Sequence, residues 1–168
     1  PQLAWLSICN LLAMTLWFSV TAVAPALKTA WNLSAIEQAW LTISVQLGFA
    51  AGALASSVWN LADRWPAPRL LAITALGGTL LNASIALGVT NEFARTPAGF
   101  VIVLLLRAAT GAMLAGVYHV GMKLLASWFR RGRGLAIGVM VGAPTIGSAT
   151  PHLLRALPLD KFAAAIWP

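Results

Sequence analysis

Five apolar runs, each close to the ~20 residues that carry an α-helix across a bilayer, divide this chain and leave short polar joints between them. They cover residues 3–27, 40–61, 70–89, 100–126 and 135–157, and a sixth begins at Phe162-Ala163-Ala164-Ala165-Ile166-Trp167. Inside lipid a main chain satisfies its polar groups as a helix or a closed barrel. Runs of this length therefore predict an all-α, polytopic transmembrane helix bundle over residues 1–168, with five spans plus the start of a sixth. The chain opens at Pro1 without the basic n-region of a signal peptide and stops within an apolar stretch. The expectation is an incomplete bundle, completed by a carboxy-terminal bundle or by a partner membrane protein.

Composition points the same way. Only 9% of the residues are charged and 60% are hydrophobic, where a soluble domain carries about 25% charge. The net charge of +7 falls mostly in the joints, which reads as membrane orientation rather than nucleic-acid binding. The lone Cys9 implies neither a disulfide nor a cysteine metal site and reads as a packing residue. No cofactor or metal is expected. Arg64, Arg69, Arg130, Arg131 and Arg133 mark one side, with Lys123 able to reach it. Lys28, Arg95, Arg155 and Lys161 mark the other. The positive-inside tendency places loops 62–69 and 127–134 in the cytoplasm.

The joints carry their own chemistry. Ser34-Ala35-Ile36-Glu37 is a capping box, in which hydroxyl and carboxylate satisfy orphan amides at the start of the second span. Asn32-Leu33-Ser34 also fits a glycosylation sequon, but the cap accounts for the serine more simply. Pro66 and Pro68 enforce the turn before the third span.

Arg107 stands out within the fourth span. A guanidinium at that depth costs roughly 2.5–3.5 kcal/mol on insertion scales unless it faces a wet cavity or a partner. Gly111 and Tyr118 share its helix face, since eleven residues make about three turns. One reading has Arg107 contacting an anionic solute through its fork of donors. The other has it bonded to carbonyls or to a neighbouring helix, organising the bundle. Asn10, Thr15 and Ser19 in the first span and Gln46 in the second are further candidates for a solute pathway, or else for bonds between helices. In the fifth span Gly134, Gly138 and Gly142 recur every four residues and precede Pro144 and Gly147. That stripe suits close helix packing, static or sliding, with a kink at the proline. Glu37, Asp63, Glu92 and Asp160 all lie in loops or at span boundaries, so no carboxylate within a span is available as a proton carrier.

Three of these features, in this order, resemble the amino-terminal half of the major facilitator superfamily. Asp63-Arg64-Trp65-Pro66-Ala67-Pro68-Arg69 is similar to that family's cytoplasmic loop signature, with Trp59, Pro66 and Pro68 replacing two glycines and a basic residue. Arg107-Ala108-Ala109-Thr110-Gly111 resembles its Arg-x-x-x-Gly element. The segment from Gly138 to Gly147 resembles its glycine-proline element. The resemblance implies a secondary transporter working by alternating access, with Asp63, Arg64 and Arg69 as a gating loop and Gly138, Gly142, Pro144 and Gly147 as a packing hinge. For Arg107 it implies proton coupling or cavity electrostatics more often than direct contact. The stretch from Gly121 to Arg130 is similar to bacterial carriers of small anions, including cyanate and nitrate/nitrite porters. It implies a small anionic or polar organic solute and a bacterial inner membrane. Against nitrate, the second span lacks an arginine.

No zinc-protease, serine-hydrolase or phosphate-loop motif is present, and no enzymatic activity is expected. A second reading is a non-transporting accessory or assembly subunit of a larger membrane complex.

Overall fold

The computed structural model describes residues 2–128, 134, 135, 137–139, 141 and 142. Among the described residues up to 128, six helices follow one another: α1 (Gln2–Trp31), α2 (Ala35–Val58), α3 (Leu61–Arg64), α4 (Ala67–Gly88), α5 (Asn91–Ala94) and α6 (Pro97–Trp128). Four of them are long and apolar enough to cross a membrane. Their outer faces carry large aliphatic side chains such as Leu54, Leu80, Leu87 and Leu105, all well exposed. Such a surface suits lipid tails and would be costly in water. Of the fifth apolar run, residues 135, 137–139, 141 and 142 are helical, as is Gly134 before it. Pro144, Gly147 and the sixth run lie outside the described residues.

α6 is the axis of the bundle. α2 packs along one side of it and α4 along another, while α1 touches all three. The closeness of α2 to α6 follows from missing side chains. A Cβ placed on Gly48 would lie 1.8 Å from the Ala108 carbonyl oxygen, and one on Gly52 would lie 2.6 Å from the Ala112 Cα. From the other side, a Cβ on Gly111 would sit 2.1 Å from the Val45 oxygen. In lipid, where hydrophobic drive between helices vanishes, such main-chain approach supplies the packing energy. Gly116 instead makes room for a side chain: a Cβ there would lie 2.4 Å from Thr74 Cγ2 of α4. One cluster of buried apolar side chains, including Val20, Leu41, Ile85 and Val103, fills the half towards Trp31. A second, around Ala13, Leu114 and Val117, fills the half towards Asp63.

The helix ends obey local rules. The Ser34 hydroxyl accepts from the Glu37 amide at 3.2 Å. The Glu37 carboxylate accepts from the Ser34 amide at 2.8 Å and its hydroxyl at 2.7 Å. Ser34→Ala is expected to lower stability by about 1 kcal/mol, read as a shift in the unfolding midpoint of the purified protein. Two joints that read as irregular loops contain the four-residue helices α3 and α5 instead. Asn60, at φ 48°, turns the chain into α3, and the Thr90 hydroxyl caps α5 by accepting from the Phe93 amide at 3.2 Å. α5 then locks the end of α1. The Trp31 indole donates to Asn91 Oδ1 at 2.8 Å, and Arg95 donates twice to the Ala30 carbonyl, at 2.9 and 2.6 Å.

Candidate functional site

Arg107 is fully buried where α1, α2 and α6 meet. Its Nε donates to the Leu41 carbonyl of α2 at 3.3 Å, Nη1 to the Leu16 carbonyl of α1 at 3.1 Å, and Nη2 to the Trp17 carbonyl at 2.9 Å. The Ser19 hydroxyl lies 3.5 Å from Nη1. A carbonyl has two lone pairs. The Leu16 and Leu41 oxygens thus also accept from the hydroxyls of Ser19, at 2.8 Å, and Ser44, at 3.1 Å. Every partner is electrically neutral. Glu37, Asp63 and Glu92 all stand at or beyond helix ends, and among the described residues no carboxylate pairs with the guanidinium. Among the described residues, the positive charge is solvated by dipoles and left uncompensated.

Around this centre the other sequence candidates take different places. Gly111, one turn further along α6, is a second close approach to α2, beside that of Gly48 to Ala108. Tyr118 is half-buried and packs edge-on against Phe49, ring centroids 6.3 Å apart. Phe49 also meets Trp17 at 5.2 Å and His119 at 6.1 Å, so one ring of α2 gathers aromatic groups from α1 and α6. Ser19 joins Arg107, and its oxygen lies 3.1 Å from Asn82 Oδ1 of α4, an acceptor that shares the single hydroxyl hydrogen with the Leu16 carbonyl. A cavity of about 320 Å³ opens beside this pair between α1 and α4. Thr15 is exposed and turns its hydroxyl to the Leu12 carbonyl of its own helix, at 2.6 Å. Gln46 is exposed on α2 and Asn10 is buried within the bundle. Ser19 and Arg107 thus come together, while Thr15, Gln46 and Asn10 do not converge with them. Cys9 is exposed on α1, not packed inside.

At the far end, the Asp63 carboxylate forms an ion pair with Lys123 of α6, whose ammonium also donates to the Ala62 carbonyl at 2.6 Å. Arg64 and Arg69 are exposed beside it. Among the described residues, nothing lies within 4 Å of a Cβ built at Gly138 or Gly142.

Sequence reasoning misses two features. Gly48-x-x-x-Gly52 is a small-residue spacing readable by the rule applied to the fifth span. Lys123 reads as belonging to the correct side but not as the partner of Asp63, because nothing local links residues 60 positions apart.

Searches of curated proteins and of solved structures returned no match. A family model described as Major Facilitator Superfamily matches residues 6–151. That span takes in the Asp63 loop, Arg107 and the glycine-rich start of the fifth run. With four long apolar helices packed around a buried arginine, this integral membrane protein belongs to the Major Facilitator Superfamily, a family of membrane transporters.

Proposed function

We propose that this chain forms the amino-terminal bundle of a secondary transporter that moves a small anionic or polar organic solute by alternating access across a bacterial inner membrane. One observation carries the anionic preference: the charge of Arg107 is enclosed and, among the described residues, has no carboxylate against it. Since no face of the guanidinium is open, it acts on a solute through its field. A unit charge roughly 8 Å away, at an effective dielectric of about 20, favours an anion by about 2 kcal/mol. Low-dielectric walls around a pathway concentrate such a field.

In this reading α1, α6 and part of the fifth run face the pathway, with Thr15, Gln46 and Tyr118 at its wall and Asn10 and Ser19 behind it. Gly111 keeps α2 and α6 moving as one body. Asp63 and Lys123, flanked by Arg64 and Arg69, form a clasp on the cytoplasmic side. Gly138, Gly142, Pro144 and Gly147 supply the sliding contact to the other half. Rocking of two such bodies about a midplane site is the general mode of these folds.

The test is solute counterflow with the intact protein in proteoliposomes. Labelled cyanate, nitrate and short carboxylates would be compared with neutral polyols. Saturable exchange of at least one anion, with neutral solutes of similar size at least tenfold weaker, is the expected result. Preference for neutral solutes would overturn the electrostatic reading. Absence of any exchange would favour an accessory subunit.

A further inference from the structure

Between α2 and α4, with α6 behind it, lies a cleft of about 190 Å³ that none of the pathway candidates lines. Small residues make it: Gly52 and Ala55 of α2, Ala112 and Gly116 of α6. Leu61 of α3 and Leu70 in the first turns of α4 line its end nearest the α3 joint. Ser56 and Thr74 supply its polar side-chain atoms, and the Thr74 hydroxyl donates to the Leu70 carbonyl at 2.8 Å. The wall is otherwise apolar. Such a space stays free of water, and left empty it forfeits dispersion contacts. Val58 and Ile73, each one turn from a lining residue, are exposed aliphatics, so the mouth of the cleft suits acyl chains.

Two cations stand over this mouth. Arg64 is one turn from Leu61, and Arg69 directly precedes Leu70 and shares a face of α4 with Ile73, four residues on. Both are exposed, and among the described residues neither side chain makes a hydrogen bond or an ion pair. Asp63 is held by Lys123, which leaves the two arginines unopposed at this end. Trp59 and Trp65, on either side of α3, are exposed as well. Indole rings gather at the headgroup level of a bilayer, which puts α3 at the depth of the phosphates.

We propose that the cleft and the two arginines form a binding site for one anionic phospholipid of the leaflet at the Asp63 end. The phosphate diester meets Arg64 and Arg69, whose planar forks match its oxygens, and an acyl chain fills the cleft. Charge and shape together select this occupant. A soluble phosphate would satisfy the arginines and leave the cleft empty, and an apolar segment of a second copy would fill the cleft and leave the arginines bare. The site is independent of the solute reading above.

The test uses the intact protein in vesicles of equal parts dioleoyl-phosphatidylglycerol and dioleoyl-phosphatidylcholine. After release into mild detergent, the lipid that stays bound is counted by native mass spectrometry. Two arginines against one anionic headgroup should favour phosphatidylglycerol by about 10- to 30-fold. Arg64→Gln combined with Arg69→Gln should bring the two lipids close to equal retention. Ala55→Leu, which fills the cleft, should lower retention of both lipids while keeping their ratio. Should Ala55→Leu not fold, the wild type answers the same question: glycerophosphoglycerol, the deacylated headgroup, should fail to displace the bound lipid. Equal retention by the wild type, or an unchanged preference in the arginine variant, overturns the proposal. So does full retention by a folded Ala55→Leu, or displacement by the deacylated headgroup. A persistent dimer in place of lipid adducts would give this face to a second copy and overturn it too.

Discussion

A methyl group at Gly48 is expected to destabilise this protein by at least about 2 kcal/mol, and one at Gly111 by a similar amount. The added carbon at Gly48 would lie 1.8 Å from the Ala108 oxygen and 2.5 Å from the Ala108 carbonyl carbon. Both are main-chain atoms of α6, which no side-chain rotation can remove. The helices must therefore separate. A gap of 0.5–1 Å forfeits about a quarter to a half of each dispersion contact along the seam. Overpacking a filled interior commonly costs about 1–3 kcal/mol, and a clash with main chain belongs in the upper part of that range. Gly88→Ala is the control: nothing lies within 4 Å of its added carbon, and in a helix alanine is favoured over glycine by up to about 1 kcal/mol. Unfolding midpoints of the three variants in lipid or mild detergent decide the matter. If Gly48→Ala unfolds with the wild type while Gly88→Ala does not gain, α2 and α6 do not approach as described. Separation would also pull the Leu41 carbonyl from the Arg107 guanidinium, so the variant should lose transport even where it still folds.

That interface shows what a single sequence makes visible. The long helices are legible because a bilayer demands an uninterrupted apolar run, and each run leaves an unmistakable trace. The capping box is legible for a similar reason: Ser34 and Glu37 bond to one another within three residues. α3 and α5 leave no trace of this kind. Four residues are too few for periodicity, and the residues that start them, Asn60 and Thr90, are the ones a local reading assigns to turns. Arg107 is conspicuous as a charge in an apolar run, but its partners are the carbonyls of Leu16, Trp17 and Leu41. Every residue owns a carbonyl, so no letter of the sequence announces which three will accept. The Asp63–Lys123 clasp is half legible. Both residues belong to one end of the bundle, and only the packing of α3 on α6 says that they meet.

Replacing Arg107 by methionine separates its two roles, because physics assigns them opposite signs. The Leu16 and Leu41 oxygens accept other bonds in the same structure, and the Trp17 oxygen lies inside a regular helix. Removing the guanidinium therefore strands no acceptor. α1 also keeps four other polar ties: Ser19 to Asn82, Trp31 to Asn91, Ala30 to Arg95, and Ala24 to Gln38. Exchanging a buried charge for an apolar side chain of similar size is often neutral or stabilising. Arg107→Met is thus expected to leave the unfolding midpoint unchanged or raised, whereas Arg107→Ala, which opens a cavity, should cost several kcal/mol. Transport should respond the other way. Loss of about 2 kcal/mol of field weakens the apparent affinity for an anion about 30-fold, at about 1.4 kcal/mol per factor of ten. A neutral solute should be untouched. Arg107→Lys keeps the charge but lacks the fork that spans three carbonyls on two helices, so it should retain most of the anion preference at reduced stability. Counterflow affinities and unfolding midpoints for the three variants distinguish the two roles. A methionine variant that unfolds early yet binds anions normally would make Arg107 a brace and nothing more. The expected pattern, a sound fold with its anion preference gone, would mean that the bundle bears the cost of a buried charge for what that charge does to the solute beside it.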